Sequence, residues 1–372
     1  MHSQLKTKQR LLSLDFFRGL TVAAMILVNN PGDWEHIYAP LEHANWNGCT
    51  PTDLIFPFFL FIVGVSIVYA LDRKKSDSGL FKAILKRSLI LFGLGLFLAT
   101  FPFFDLATVR IPGVLQRIAV VYFICAVLFI YTNPNYFFKL FVLILMAYWV
   151  LMMFVPVPGF GASNLEKETN LAAWVDRAVF TEAHLWSLSR TWDPEGLLST
   201  LPAVASGLFG MMMGLLLKSK TQSQSEKVAW LFAYGFIAFI AGLCWDLIFP
   251  INKSLWTSSF VLYTGGLASM GLAFCYWIID VQGFSRFTKP FVIYGVNAIT
   301  VFFASAIIAR SLNLIQVTIN GESTSLKNYL YQLFYVPYLN PYHASLAGAL
   351  TFVFIWYLIL WLMYKRNIII KV

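Results

Sequence analysis

The chain has 372 residues, 59% of them hydrophobic and 17% aromatic, with only 12% charged, about half the charge of a soluble globular protein. That composition excludes a soluble domain, and repeated apolar runs of the roughly 20 residues needed to cross a hydrocarbon core exclude single-pass and peripheral arrangements. The formal net charge of +9 comes from basic residues scattered between apolar runs, without the basic stripe and interleaved aromatics of a nucleic-acid surface, so no nucleic-acid partner is expected.

In chain order, apolar runs bounded by charge, Pro or Gly predict helices over residues 11–28, 54–71, 83–101, 114–131 and 137–155, then 197–217, 228–249, 255–279, 291–309 and 346–364. The expected fold is an all-α integral membrane bundle of about ten transmembrane helices, one domain over residues 1–372 in contact with the lipid bilayer. The segment through Arg10 is polar and basic and lacks a secretory signal's apolar core and cleavage site, so the first apolar run is expected to stay as a helix. With the N-terminus inside, the inner connections hold 18 Lys and Arg and the outer ones 8, Arg18 lying within the first helix. This bias predicts both termini cytoplasmic. Three cysteines fall in apolar runs and only Cys49 in a connection, so neither a disulfide framework nor a metal-type spacing is present.

Three outer connections, about 29–53, 156–196 and 311–345, are longer and more polar than a connector needs. Loops of this kind either carry function or cap the bundle. Ionisable groups at membrane depth are costly and tend to mark a site or a pathway. Asp15 and Arg18, at i, i+3, are spaced to pair on one helix face, as a structural lock or as part of a site. Arg117 and Asp246 are further candidates. The densest polar cluster, Asn29 to Asp53, contains His36 and His43 but no third ligand near them, so no metal is expected. A histidine here suits general-base work near neutrality, or is a solvated loop residue. No phosphate loop, nucleophile elbow or glycosidase carboxylate pair is present. Gly93 and Gly95 lie within a helix and read as packing positions.

Several runs together resemble a known family. They are Ser13-Leu-Asp15-Phe-Phe-Arg18-Gly19, Asn29-Asn30, His43-Ala-Asn45-Trp46-Asn47-Gly48, Pro51-Thr-Asp53, Arg110-Ile-Pro112-Gly113-Val-Leu-Gln116-Arg117, Trp192-Asp193-Pro194-Glu195-Gly196, Pro250-Ile-Asn252-Lys253 and Tyr294-Gly295-Val-Asn297. In this order and along almost the whole chain, they are similar to the heparan-α-glucosaminide N-acetyltransferase family.

The resemblance implies a membrane acetyltransferase that takes acetyl-CoA from the cytoplasm and acetylates an amino sugar on the far side. It implies His43 as the active-site histidine and Asn29 as the upstream amide. The interval between them is a few residues longer here, and Asn30 adjoins Asn29, which leaves two asparagines for one role. On this reading His43 either takes the acceptor's proton or carries the acetyl group itself, and the amide steadies the oxyanion. Asp53 either orients the imidazole or merely complements a helix N-terminus. Arg18, Arg117 and Asn297 are expected to serve the donor, with Lys86, Arg87 and Lys289 as exposed basic groups at the inner mouth. Trp46, Glu195 and Lys253 are expected to contact the sugar. The lysosomal members carry further N-terminal sequence and one more helix, which points to a bacterial-type member in the inner membrane. A homodimer through lipid-facing helices is compatible with the sequence. A sugar or cell-wall-precursor permease is the alternative, since a polar bundle core and long outer loops suit transport too.

Overall fold

The computed structural model describes residues 11–72, 77–319 and 322–370. Lys6, Lys8, Arg10, Arg73, Lys74, Lys75 and Lys371 of the charge count lie outside these residues. The first half contains α1 (Leu12–Asn29), α2 (Ile55–Leu71), α3 (Leu80–Thr100), α4 (Val114–Tyr131), α5 (Phe137–Phe154) and α6 (Leu171–Phe180). The second contains α7 (Thr200–Lys218), α8 (Gln224–Asp246), α9 (Ser258–Tyr276), α10 (Lys289–Val296), α11 (Ala298–Leu314), the strands β1 (Gln316–Ile319) and β2 (Glu322–Ser325), α12 (Leu326–Phe334) and α13 (Pro341–Lys365).

Among the described residues nine helices are long and apolar enough to cross a membrane, and α10 with α11, bent by 80° where they meet, brings the count to ten when the pair is taken as one span. The chain is therefore a multi-pass, all-α membrane protein, as its composition predicts. The expected straight ninth helix is instead broken at Asn297. The Asn297 amide is buried and turned onto the C-terminal segment: Nδ2 donates to the Ile368 carbonyl (3.2 Å) and Oδ1 accepts from Ile370 N (3.0 Å). A side chain that satisfies backbone outside the helix in this way stabilises an interruption within the bundle.

The most buried span is α7, while α8 and α13 are peripheral. Glycine lets α7 approach α2 closely: a Cβ on Gly210 would lie 2.0 Å from the Phe61 carbonyl oxygen, and one on Gly64 of α2 2.0 Å from that of Gly207. The crossing of α1 with α10 is closer still: a Cβ on Gly19 would lie 1.6 Å from the Phe291 carbonyl oxygen, and one on Gly295 would lie 2.3 Å from that of Asp15. At its start, α1 has no capping side chain of its own. Asp280 supplies one from the end of the α9 span, accepting from Leu12 N (3.3 Å) and Ser13 N (3.0 Å), where a carboxylate complements the helix dipole.

Two helices escaped the hydropathy pattern because, at ten and nine residues, they are too short to span. Each is capped locally, α6 by the Asn170 side chain accepting from Ala173 N and α12 by Ser325 accepting from Asn328 N. They lie in two of the long connections, and those connections meet at one end of the bundle. Gly48 N donates to Ile251 O (2.7 Å), Gly32 N to Ser345 O (3.1 Å) and Ile111 N to His184 O (2.9 Å).

Candidate active site

The turn Pro51–Leu54 delivers Asp53 to the head of α2 with its side chain 1% exposed. Asp53 Oδ2 accepts from the backbone N–H groups of Ala44 and Thr50, each at 3.0 Å, and Oδ1 lies 2.6 Å from His43 Nδ1. With Oδ1 as acceptor, Nδ1 carries the proton and Nε2 presents its lone pair. The imidazole is 52% exposed, so a buried anion holds a ring that faces outward. His36 also pairs with a carboxylate, Asp33 (2.6 Å), but its ring lies edge-on to Tyr342, where it fastens the loop to α13.

Lys253 arrives from the α8–α9 connection. Its Nζ lies 3.5 Å from Asp53 Oδ1, and 3.0 and 3.2 Å from the two ring nitrogens of His43. Burial pushes its ammonium down, while the Asp53 and Glu195 carboxylates work the other way. The two motif segments are tied directly. Asn252 Nδ2 donates to Asn47 Oδ1 (3.1 Å), and Gly48 takes φ +104°, a conformation open to glycine and strained for other residues. Cys49 adjoins this knot, but burial first, and then Asp53, push its thiol up to about 12. It is therefore a thiol and not a thiolate nucleophile near neutrality.

Beside the knot stands an aromatic wall. Trp46 Nε1 donates to Leu165 O (2.9 Å), and its ring meets Trp192 edge-to-face at 5.2 Å, Trp192 in turn meeting Trp186 at 5.3 Å. Glu195 is nearly buried and accepts from Arg110 Nη2 (2.5 Å); Arg110 also grips Asp193 through Nε (2.8 Å) and Nη2 (2.6 Å). Burial works against the Arg110 charge, but the two carboxylates outweigh it and raise its pKa. Below this group, the Asp176 carboxylate accepts from Leu197 N (2.8 Å). Burial, with a smaller push from Asp193, drives it up to about 7.

The expected donor residues separate. Arg18 donates to Asp15 (3.1 Å) and Ser66 (2.8 Å) and lines a 310 Å³ cavity toward the opposite end of α1, with Arg87 across from it over the Tyr122 ring at 4.7 Å. Lys86 and Lys289 are exposed. Arg117 lies elsewhere: it is fully buried, donates to Gly196 O and Ser199 Oγ, and stacks over Trp256. Its Nε and Nη1 have no partner among the described residues. Asn297 fastens the C-terminal segment, whose Ile370 lines the Arg18 cavity. Asp246 closes the end of α8 by accepting from Ile251 N (2.6 Å). Asn29 is exposed in a second cavity with Arg310, Asn313 and Lys327, whereas the Asn30 amide is used by Ile26 O (2.8 Å). Sequence reasoning passed over Arg110, Asp193 and Trp192. All three stand inside the quoted motifs, and that was their only signal.

Residues 10–241 match the family described as heparan-alpha-glucosaminide N-acetyltransferase, catalytic. Two curated relatives share that name without its last word. The mouse protein is 32% identical over 79% of this chain and 53% of its own length, and the human protein 31% identical over 79% and 52%. The chain spans about half the length of the curated relatives it matches.

Proposed function

Because the chain belongs to the heparan-α-glucosaminide N-acetyltransferase family, we propose that it is a transmembrane N-acetyltransferase of a bacterial inner membrane. It moves acetyl from cytoplasmic acetyl-CoA to the amine of a glucosamine-type sugar on the outer side. The observation that carries this reading is the 2.6 Å hydrogen bond between the outward-facing His43 ring and the buried Asp53. It leaves Nε2 as an acceptor, the form a general base requires.

In the reaction the acceptor nitrogen attacks the acetyl carbonyl, a C–N bond forms and the C–S bond breaks. His43 Nε2 takes the proton from the amine and returns it to the departing CoA thiolate. Asp53 holds the ring in the reactive tautomer and offsets the positive charge that it gains. The Lys253 ammonium, which lies at the His43 ring, suits the developing oxyanion, and the family motif gives Asn29, which lines a separate cavity, the same role. Trp46, Trp192 and Glu195 form a wall of ring faces and a carboxylate for a sugar. The cavity that holds Arg18 and Arg87 at the other end suits the phosphates of the donor.

The test is release of CoA thiol by the purified full chain, supplied with acetyl-CoA and glucosamine, with wild type beside His43→Ala. Thiol release with N-acetylglucosamine formation in wild type, and loss in the variant, is the expected result. Full activity in His43→Ala would sink the assignment. Acetylated His43 trapped with acetyl-CoA alone would replace direct transfer with a covalent relay. Movement of labelled sugar across liposomes without thioester consumption would instead make the protein a permease.

A further inference from the structure

Among the described residues the Arg18 cavity is lined from α1, α2, α3, α4, α10 and α11, with a single contribution from outside the helices, Ile370, beyond the end of α13. Two separate devices bring Ile370 there. At the end of α13, Asn367 N donates to Tyr364 O (3.1 Å) and Ile368 N to Met363 O (2.9 Å), with Asn367 at φ +56°. This paired closure around a left-handed residue reverses the chain, in a conformation that asparagine tolerates better than most side chains. The second device stands at the α10–α11 break, where one buried amide, that of Asn297, bonds both the Ile368 carbonyl and Ile370 N. Val296 and Ala298, on either side of Asn297, line the cavity themselves. A segment that merely followed α13 would need neither device, and ordering it costs backbone entropy. The segment so fixed carries Ile368, Ile369 and Ile370, each between 44% and 51% exposed, so apolar surface is held ready at the rim of a cavity.

We propose that residues 368–370 are a strap that forms part of the donor site: the Ile370 side chain packs on the thioester donor held by Arg18 and Arg87, and Asn297 and Asn367 are positioning residues that keep it there. The identity of that donor rests on the acetyltransferase reading. Arginines supply contacts for phosphates, but the arm that joins a coenzyme A nucleotide to its thiol is uncharged and flexible, and a close apolar wall is what confines it. Ile370 completes such a wall with Leu91, Ile118 and Ile299. Asn297 therefore acts on the donor through the strap, its own amide being taken up by backbone.

Equilibrium binding of CoA to the full chain in detergent, together with hydrogen exchange of the strap amides, tests this without any acetyl transfer. In wild type, saturating CoA should slow exchange in the peptide that contains residues 368–370 by at least about tenfold. Ile370→Ala removes the packing and leaves the backbone ties, and it should weaken CoA binding by a similar factor, the lower end for covering one isoleucine side chain. Asn367→Val, β-branched at a positive φ, should undo the chain reversal and weaken CoA binding at least as much, whereas Asn367→Gly, which accepts that φ, should bind as wild type does. The unfolding temperature should hold in Ile370→Ala, which separates loss of the donor contact from loss of the fold. Strap exchange indifferent to bound CoA, or wild-type affinity in both Ile370→Ala and Asn367→Val, would overturn the strap and leave the acetyltransferase reading standing. A wild-type chain that binds no CoA would instead sink the acetyl-CoA reading, and the strap's role with it.

Discussion

Asp53 and His43 stand ten residues apart in the chain and 2.6 Å apart in space. The carboxylate is sealed under the loop, and its other oxygen is fully used by the Ala44 and Thr50 amides. It therefore has no room to swing away from the imidazole, and the ring orientation is set before any substrate arrives.

Asp53→Asn should keep the loop folded, because an amide oxygen can still accept from the two backbone N–H groups. It removes the charge that supports protonated His43. We expect kcat to fall on the order of 10²–10⁴-fold with little change in the KM for acetyl-CoA. Steady-state kinetics checks this, and ¹⁵N spectra of His43 should show loss of the single Nδ1–H tautomer.

Arg18→Gln or Arg87→Gln should raise the KM for acetyl-CoA about tenfold or more, as loss of one charge-assisted contact to phosphate implies. The KM for the amino sugar should hold. Equal increases in both would mean that the Arg18 cavity supports the fold and not the donor.

Asp176 gives a pH dependence of stability. Its folded pKa of about 7 lies above the ordinary carboxylate value of 3.8, so between the two the folded protein holds a proton that the unfolded chain has lost. Stability from this group is fully present below about pH 4 and is lost as pH rises through 7. Thermal unfolding in detergent should show that decline, and Asp176→Asn should flatten it over the same window.

Gly19→Ala places a Cβ 1.6 Å from the Phe291 carbonyl oxygen, which backbone cannot accommodate without moving α10 away from α1. Overpacking of this kind typically costs about 1–3 kcal/mol. A lowered unfolding temperature and a weaker acetyl-CoA KM are expected, since Gly295 on α10 lines the Arg18 cavity.

The spans were legible because lipid imposes one rule on every one of them, a long apolar run with its backbone satisfied internally. The short helices α6 and α12 obey no such rule and were missed. The 80° break at Asn297 was missed for a related reason, since its cause is a contact with Ile368 and Ile370 some seventy residues away.

The site divides in the same way. Sequence by itself determined the membrane class and the nine unbroken spans, and motif resemblance pointed to His43, Asp53 and Lys253 as candidates. Only the tertiary structure decided that Lys253, 210 residues from His43, touches its ring, and that Arg117 holds the loop at Gly196 and Ser199. The physical reason is that hydropathy reports how each segment meets lipid. Which buried charge meets which partner depends on how helices distant in sequence pack together.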